Sequence, residues 1–218
     1  MPRAQVGLNC QLKKVEPERI HSLLEPGELG AMLDLKVFDP KTGKITEQLS
    51  KKAESYVKQF LQMLFIKMGA SVDVISMTDT GGVARNVSEA SYPTSYTIFE
   101  TNAAITDVNY GIIIGTGSTA PTINDNKIET LIAHATMNYS AVTFGAPAAD
   151  NTTSQFTITR NFANVSGGAV TVNEFALYTR HWDGAFRYFC LIRDVIGGGI
   201  AVPNGQTLTV NYRLQAVL

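Results

Sequence analysis

Six stretches with β-strand character follow one another from Ile132 to Leu218, and this series constrains the fold more than any other feature of the sequence. Turn-forming residues separate them, including Asn204-Gly205, a pair that suits a tight hairpin loop. Strands at this spacing are typical of antiparallel sandwiches and barrels. The predicted strands are Ile132–Thr136, Ser140–Phe144, Gln155–Phe162, Ala169–Tyr178, Phe186–Ile196 and Thr207–Leu218.

The last predicted strand alternates between apolar and polar side chains. From Leu208 to Ala216 every second residue is apolar, and the residues between them are Thr, Asn, Arg and Gln. This pattern predicts one buried and one solvent-facing side. The continuous apolar run Tyr110–Ile114 predicts a strand buried on both faces. Residues 6–12 and 33–37 alternate as well, and the first of these segments could serve as an arm on a neighbouring copy.

One long helix is predicted at Leu49–Met68, where Ser50 can cap the N-terminus and Gly69 can end the helix. Its apolar side chains repeat at offsets of 4, 3, 4 and 4 residues, which is one face of a helix. Such a stripe is either plain core or an interface buried between subunits, and the second reading makes it a candidate assembly interface. The residues of this stripe are Ala53, Val57, Phe60, Leu61, Leu64 and Met68.

The predicted fold is mainly β, with an antiparallel sandwich or jelly-roll-like domain at residues 70–218. Residues 1–69 would add strands and the amphipathic helix as an arm or assembly region. The charge is unevenly distributed, since Lys127 is the only lysine after residue 70, and Thr, Asn, Ser and Gly replace charge there. A formal net charge of −1 provides no overall field that would attract nucleic acid or an acidic membrane.

The N-terminal sequence lacks the apolar core of a signal peptide, and the longest apolar run is too short to cross a bilayer. We therefore expect a protein made in the cytoplasm. The two cysteines, Cys10 and Cys190, lie far apart in the sequence and imply no disulfide framework.

Motifs for catalysis and cofactor binding are missing from the sequence. Gly115-Thr116-Gly117 lacks the third glycine and the following helix of a dinucleotide site. The three histidines stand apart without metal-ligand spacing, and no nucleophile motif occurs. Glu174 and Asp194 are the only conceivable acid–base pair, but charges within strands more often form salt bridges. We predict no cofactor, no metal and no enzymatic activity.

The segment His181, Trp182 and Asp183 has the composition of a hairpin tip, and an exposed tryptophan there is a candidate contact residue. The indole could instead pack over the end of the sheet. A sandwich that presents Trp182, Tyr178 and Tyr188 would suit a carbohydrate- or receptor-binding module, which is the alternative to a structural role.

Four segments resemble a group of tailed-bacteriophage virion structural proteins. They are GTGSTAPT at Gly115–Thr122, TRNFANVSGGAVTVNEFALY at Thr159–Tyr178, IRDV at Ile192–Val195 and VPNGQTLTVNY at Val202–Tyr212. Those proteins usually have Gly before Leu-Tyr, where this chain has Ala176.

The resemblance implies a non-enzymatic virion component in a tail, a connector or a capsid surface. Its expected partners are copies of itself and other virion proteins, with possible contact to a host surface. It implies no catalytic residues, no direct nucleic-acid contact and no membrane. The protein would be made in the host cytoplasm and located in the virion.

Overall fold

The computed structural model describes residues 23–53, 56–69, 74–88 and 99–218, and this part of the chain is mainly β, as predicted. The elements are β1 (Leu29–Phe38), β2 (Ile45–Ala53), α1 (Lys58–Met68), β3 (Ile75–Thr78), β4 (Ala84–Val87), β5 (Gly111–Gly115), β6 (Met137–Tyr139), β7 (Thr143–Phe144), β8 (Ala148–Ala149), β9 (Thr153–Asn164), β10 (Val170–Trp182), β11 (Phe186–Val202) and β12 (Thr207–Val217).

Sheet A is antiparallel, with strand order β2-β1-β12-β9-β6, and the short strands β7 and β8 also pair with β9. β12 lies at its centre, where Tyr212 is opposite Leu33 of β1 and Ile158 of β9. The predicted alternation of β12 is confirmed from Leu208 to Tyr212, where Val210 and Tyr212 are fully buried and Asn211 between them is partly exposed. It is wrong at the end of the strand, where Gln215 is buried and Ala216 is exposed. The predicted strand at residues 6–12 lies outside the described residues.

Sheet B is antiparallel with order β11-β10-β5, and β3 and β4 form a separate hairpin. All five residues of β5 are buried, which confirms the prediction from the run Tyr110–Ile114. Sheets A and B contribute to one core, where the Tyr212 hydroxyl donates a hydrogen bond to Asp194 of β11 at 3.2 Å. β1 and β2 precede the predicted boundary at residue 70 yet share sheet A with β9 and β12; the domain division itself stays a prediction.

The predicted start of the helix is wrong, because residues 49–53 belong to β2. Ala53 lies opposite Ala31 of β1, and the Ser50 hydroxyl donates to Asp34 of the same neighbour instead of capping a helix. The helical spacing of apolar residues begins only at Ala53. Residues 49–52 before it show no pattern that argues against a strand. Pairing with the apolar strand β1 therefore decides their conformation over a weak local preference.

Two predicted strands are also wrong. Ile132–Thr136 forms a turn in which the Thr136 and Met137 amides both donate to the Ala133 carbonyl, so these amides are not available to a sheet. Within Ser140–Phe144 only the last two residues form a strand, the short β7. The last four predicted strands, β9 to β12, are confirmed, although β10 ends at Trp182 instead of Tyr178 and β11 at Val202 instead of Ile196.

Arg160 is a fully buried charge on the core-facing side of β9. Its guanidinium makes five hydrogen bonds, all to backbone carbonyl oxygens, at distances from 2.6 to 3.2 Å. Because a guanidinium has five N–H donors, this set of acceptors satisfies it completely. The carbonyls belong to Ala104, Asp107, Tyr110, Ile112 and Ser140.

These bonds fasten the segment 104–112, which leads into β5 of sheet B, to sheet A. Removal from water lowers the pKa of Arg160 to about 10, so the group stays charged at neutral pH. The guanidinium carbon also lies 4.8 Å from the centre of the Tyr139 ring, where the ring face attracts the cation. Arg160 is thus a polar link between the two sheets.

Replacing Arg160 by Met is expected to lower the free energy of unfolding by about 3 kcal/mol, because five backbone carbonyls, among them the buried ones of Tyr110 and Ile112, lose their donor. Arg213→Met is the matched control, since this arginine lies on the outer face of sheet A and pairs with Asp34 at 2.9 Å. That change should cost about 1 kcal/mol or less. Urea denaturation measures both, and equal losses would contradict the assigned role of Arg160.

Candidate functional site

The tip of the β10–β11 hairpin consists of Asp183, Gly184 and Ala185. Gly184 has a φ of +101°, a backbone conformation that favours glycine, and the Asp183 amide donates to the Ala185 carbonyl at 3.1 Å. The Asp183 carboxylate is also paired with Arg187 at 3.0 Å. The tip is therefore a short loop with a fixed shape.

The sequence placed His181, Trp182 and Asp183 together at this tip, and for His181 that is wrong. His181 lies in β10 with 1% of its surface exposed, because side chains of a strand alternate and its side points into the core. Trp182 is half-buried, and its ring meets Phe186 edge to face at 4.9 Å between ring centres. Asp183 is exposed at the tip, as predicted.

Five side chains near the tip contact one another in sequence, and we call them the aromatic row. They are Trp182, Phe186, Arg180, Tyr110 and Tyr188. The Arg180 guanidinium lies between the rings of Phe186 and Tyr110, at 4.6 and 4.5 Å from their centres. Tyr188 stacks on Tyr110 at 6.3 Å. Tyr110 is buried, so the partly exposed rings of Trp182, Phe186 and Tyr188 supply the apolar surface of the row. Such a surface suits sugar rings and planar polar groups.

The cation of the aromatic row is held in place by Glu100. Two nitrogens of Arg180 donate to the two Glu100 oxygens at 2.7 and 2.8 Å. These hydrogen bonds raise the pKa of Arg180 above its usual value. A bidentate pair of this kind restricts the guanidinium to one plane. The rings of Phe186 and Tyr110 on either side of it are thereby held in position as well.

The tip cleft is a polar hollow between the hairpin tip and the β3–β4 hairpin, with a volume of about 670 Å³. The Thr80 amide donates to the Tyr188 carbonyl at 2.9 Å, which anchors the β3–β4 hairpin against β11. Hydroxyl, amide, guanidinium and carboxylate groups face the cleft, so a polar ligand would find both donors and acceptors. The cleft is lined by Ser76, Ala84, Arg85, Asn86, Asp183 and Gly184.

Helix α1 buries a different face from the one predicted. Gln59, Met63 and Ile66 are its buried residues, and they follow one another at offsets of 4 and 3. Leu61 and Met68, both assigned to the predicted stripe, are 64% and 79% exposed. Leu61 and Met68 are therefore not part of the core, and the assignment of the stripe to an assembly interface stays a prediction.

The other residues of the predicted stripe are covered by the chain itself to different degrees. Ala53 is buried in β2, and Val57 is buried where its amide donates to the Leu191 carbonyl at 3.1 Å. Phe60 and Leu64 are partly buried, and Phe60 helps to line an apolar cavity of about 250 Å³.

The exposed helix face, defined as Leu61, Phe65 and Met68, is an apolar surface at offsets of 4 and 3. Phe65 is 53% exposed, in addition to the two residues given above. Single exposed apolar residues are common, but a row on one helix is a mark of an interaction surface.

Glu174 and Asp194 do not form a carboxylate pair. In sheet B, Glu174 is opposite Val195, and Asp194 is opposite Phe175, so the two side chains leave opposite faces of the sheet. Asp194 accepts the Tyr212 hydroxyl and lies 3.8 Å from the Lys51 ammonium. The arrangement for acid–base chemistry considered from the sequence is therefore absent.

Glu174 is instead fully buried beneath the loop 116–131. Its carboxylate accepts from the Arg193 Nε and the Glu129 amide, both at 2.7 Å, and Arg193 also pairs with Asp125 at 2.6 Å. A Cβ added at Gly115 would come within 2.7 Å of the Glu174 carboxylate. Glycine there lets the backbone pass close to the buried charge, which is a structural reason for Gly115.

No match was found when the chain was compared with protein-family models, curated proteins and solved structures. Among the described residues, no three His, Cys, Asp or Glu are grouped to hold a metal ion. Within the same residues, no helix has the length and apolar character needed to span a membrane. Cys190 is buried, which raises the pKa of its thiol.

The loop 116–131 is expected to loosen in acid. The Glu129 carboxylate accepts the Thr119 hydroxyl at 2.8 Å and the Ser118 and Thr119 amides at 3.1 Å. These bonds, the Thr119 hydroxyl first, lower the pKa of Glu129 below its ordinary 4.5. Their stabilisation is present above pH 4.5 and is lost as the pH falls through the lowered pKa.

Hydrogen exchange at the Ser118 and Thr119 amides measures this effect. Protection, corrected for intrinsic exchange, should fall below pH 4.5 in the wild type. In Glu129→Gln it should be low at every pH. Protection that is independent of pH in the wild type would contradict the role of Glu129.

Proposed function

We propose that this chain is a non-enzymatic structural component of a bacteriophage virion, which forms homo-oligomers and bridges neighbouring virion proteins in a tail, a connector or a capsid surface. Sheets A and B would form the expected β-sandwich. The main support is the motif resemblance described above, together with the use that the fold makes of the motif residues.

The polar residues of the resembling segments are used inside the fold. Arg160 links the two sheets, and Glu174 pairs with Arg193. Asn164 is fully buried, and its side-chain amide donates to the carbonyls of Gly168 and Val202 at 2.8 and 2.7 Å. The charged groups of these motifs all form hydrogen bonds or ion pairs within the fold. Such motifs stabilise the shape of the subunit, as a repeated structural component requires.

Two surfaces are available for assembly. The exposed helix face presents three large apolar side chains, and the nine-residue strand β2 forms an edge of sheet A. Apolar rows and open strand edges are the features through which copies of a chain associate. The outer face of sheet A is polar, with bonds such as that of the Thr159 hydroxyl to Asn211 at 2.7 Å.

The wild-type chain is expected to be an oligomer in light scattering coupled to size exclusion, and mass spectrometry should detect it in purified virions. The variant Leu61→Ser with Phe65→Ser should associate at least tenfold more weakly, because burial of each side chain provides about 1.5–3 kcal/mol. Ile105→Ser is the control, since this residue is 66% exposed elsewhere. A monomeric wild type absent from virions would contradict the proposal.

A carbohydrate- or receptor-binding module is the second candidate function. The tip cleft and the aromatic row favour it, since one supplies polar groups and the other a flat apolar surface. Tyr178 does not contribute, because it is buried and its hydroxyl accepts the Ile128 amide. Trp182 and Tyr188 remain partly exposed.

Binding on a glycan array would test this second function. If it holds, Trp182→Ala and Asn86→Ala should each reduce binding at least tenfold, because they remove a stacking surface and an amide of the cleft. Asn161→Ala is the control, since this exposed asparagine lies on sheet A. An array without specific binding, or equal binding by all variants, would contradict a sugar site at the tip.

A further inference from the structure

Within the part of the chain that the structure describes, strand β2 is an unshielded edge of sheet A. Among the described residues it pairs only with β1, and it contains no proline over its nine residues. The residues from Ile45 to Ser50 are all exposed. An edge strand of this length presents a row of backbone N–H and C=O groups that another strand can bind.

Lysines often protect an edge by projecting into solvent, but Lys52 of β2 is directed back to its own chain. The Lys52 ammonium bonds both oxygens of Glu28, at 2.6 and 2.7 Å. Lys51 is only partly exposed and lies 3.8 Å from Asp194. Glu47 and Lys51 are therefore the charges that remain along the edge, and their opposite signs allow a second copy of β2 to pair with them.

The sequence of β2 is complementary to itself in an antiparallel arrangement. With Leu49 opposite Leu49 of a second copy, Glu47 falls opposite Lys51, and by symmetry the same ion pair forms a second time. All of these residues lie on one face of the strand. The remaining pairs are Ile45 with Ala53, Thr46 with Lys52 and Gln48 with Ser50.

We infer that two copies of this chain join through β2, antiparallel, about a two-fold axis at Leu49, so that their two A sheets become one continuous sheet. The inference rests on the proposed homo-oligomer and specifies one of its interfaces. The contact uses the same patch on both copies, as two-fold dimers do. Main-chain hydrogen bonds provide affinity, while the leucine pair and the two ion pairs set the register.

Cysteine cross-linking tests the register. Residues directly opposite in antiparallel strands have Cα atoms about 4.5–5.5 Å apart, within the range of a disulfide. In a Cys10→Ser background, Leu49→Cys should form a covalent dimer on mild oxidation. Glu47→Cys should not, because the two copies of residue 47 would be offset by four residues, about 13 Å. Mixed Glu47→Cys and Lys51→Cys chains should cross-link to each other.

Charge reversal tests the ion pairs. Glu47→Lys places like charges opposite each other twice and should raise the dimer Kd about tenfold. Added salt should then strengthen association of this variant while it weakens the wild-type dimer, because screening acts on repulsion in one and attraction in the other. Glu25→Lys has the same change of net charge outside β2 and should leave the Kd unchanged.

The results of these experiments distinguish failure of the β2 interface from failure of the proposed assembly function. An oligomeric wild type in which Leu49→Cys fails to cross-link overturns this interface and leaves the assembly function standing. Cross-linking of Leu49→Cys to a retained Cys10 would assign the edge to the N-terminal segment and also overturn it. A monomeric wild type would overturn both.

Discussion

The buried guanidinium of Arg160 is the contact on which the arrangement of the two sheets depends. A charge without a carboxylate partner in the core loses its hydration, and only a complete set of acceptors offsets that loss. Five backbone carbonyls supply the set, four of them in the segment 104–112 that leads into β5. Pairing with β10 places β5 at the edge of sheet B, and Arg160 of β9 fastens the segment that leads into it to sheet A.

Two other groups of charged side chains in the interior follow the same rule, whereas the buried Gln59 side-chain oxygen has no hydrogen-bond partner among the described residues. Glu174 and Arg193 satisfy each other on one face of sheet B, and Asp194 accepts Tyr212 on the other. The charged residues Glu174, Arg193 and Asp194 are thus part of the framework of sheet B. The surfaces that remain available are an apolar helix face, a polar cleft and a strand edge, and each is suited to contact with another molecule.

The sequence predicted the elements whose pattern is long and regular. Alternation from Leu208 to Ala216 was sufficient for β12, because a strand buries every second side chain, and the spacing of turn-forming residues was sufficient for β9. Prediction from the apolar pattern failed at β2. Lys51 and Lys52 belong to no regular apolar pattern, and pairing with β1 decides their conformation. Arg160 was missed, although its signal was present: it interrupts the buried side of an alternating strand between Ile158 and Phe162. The burial of His181 could have been read from the same alternation.

The central place of β12 in sheet A affects how the chain is synthesised. Its neighbours are β1 and β9, and the Arg213–Asp34 contact spans 179 residues of sequence. On the ribosome, β1 and β9 emerge long before the strand that must lie between them, so sheet A can be completed only after residue 217 has left the exit tunnel. Until then the apolar sides of the nascent strands are not covered by their partner strand. Chaperones would shield this apolar surface during that period.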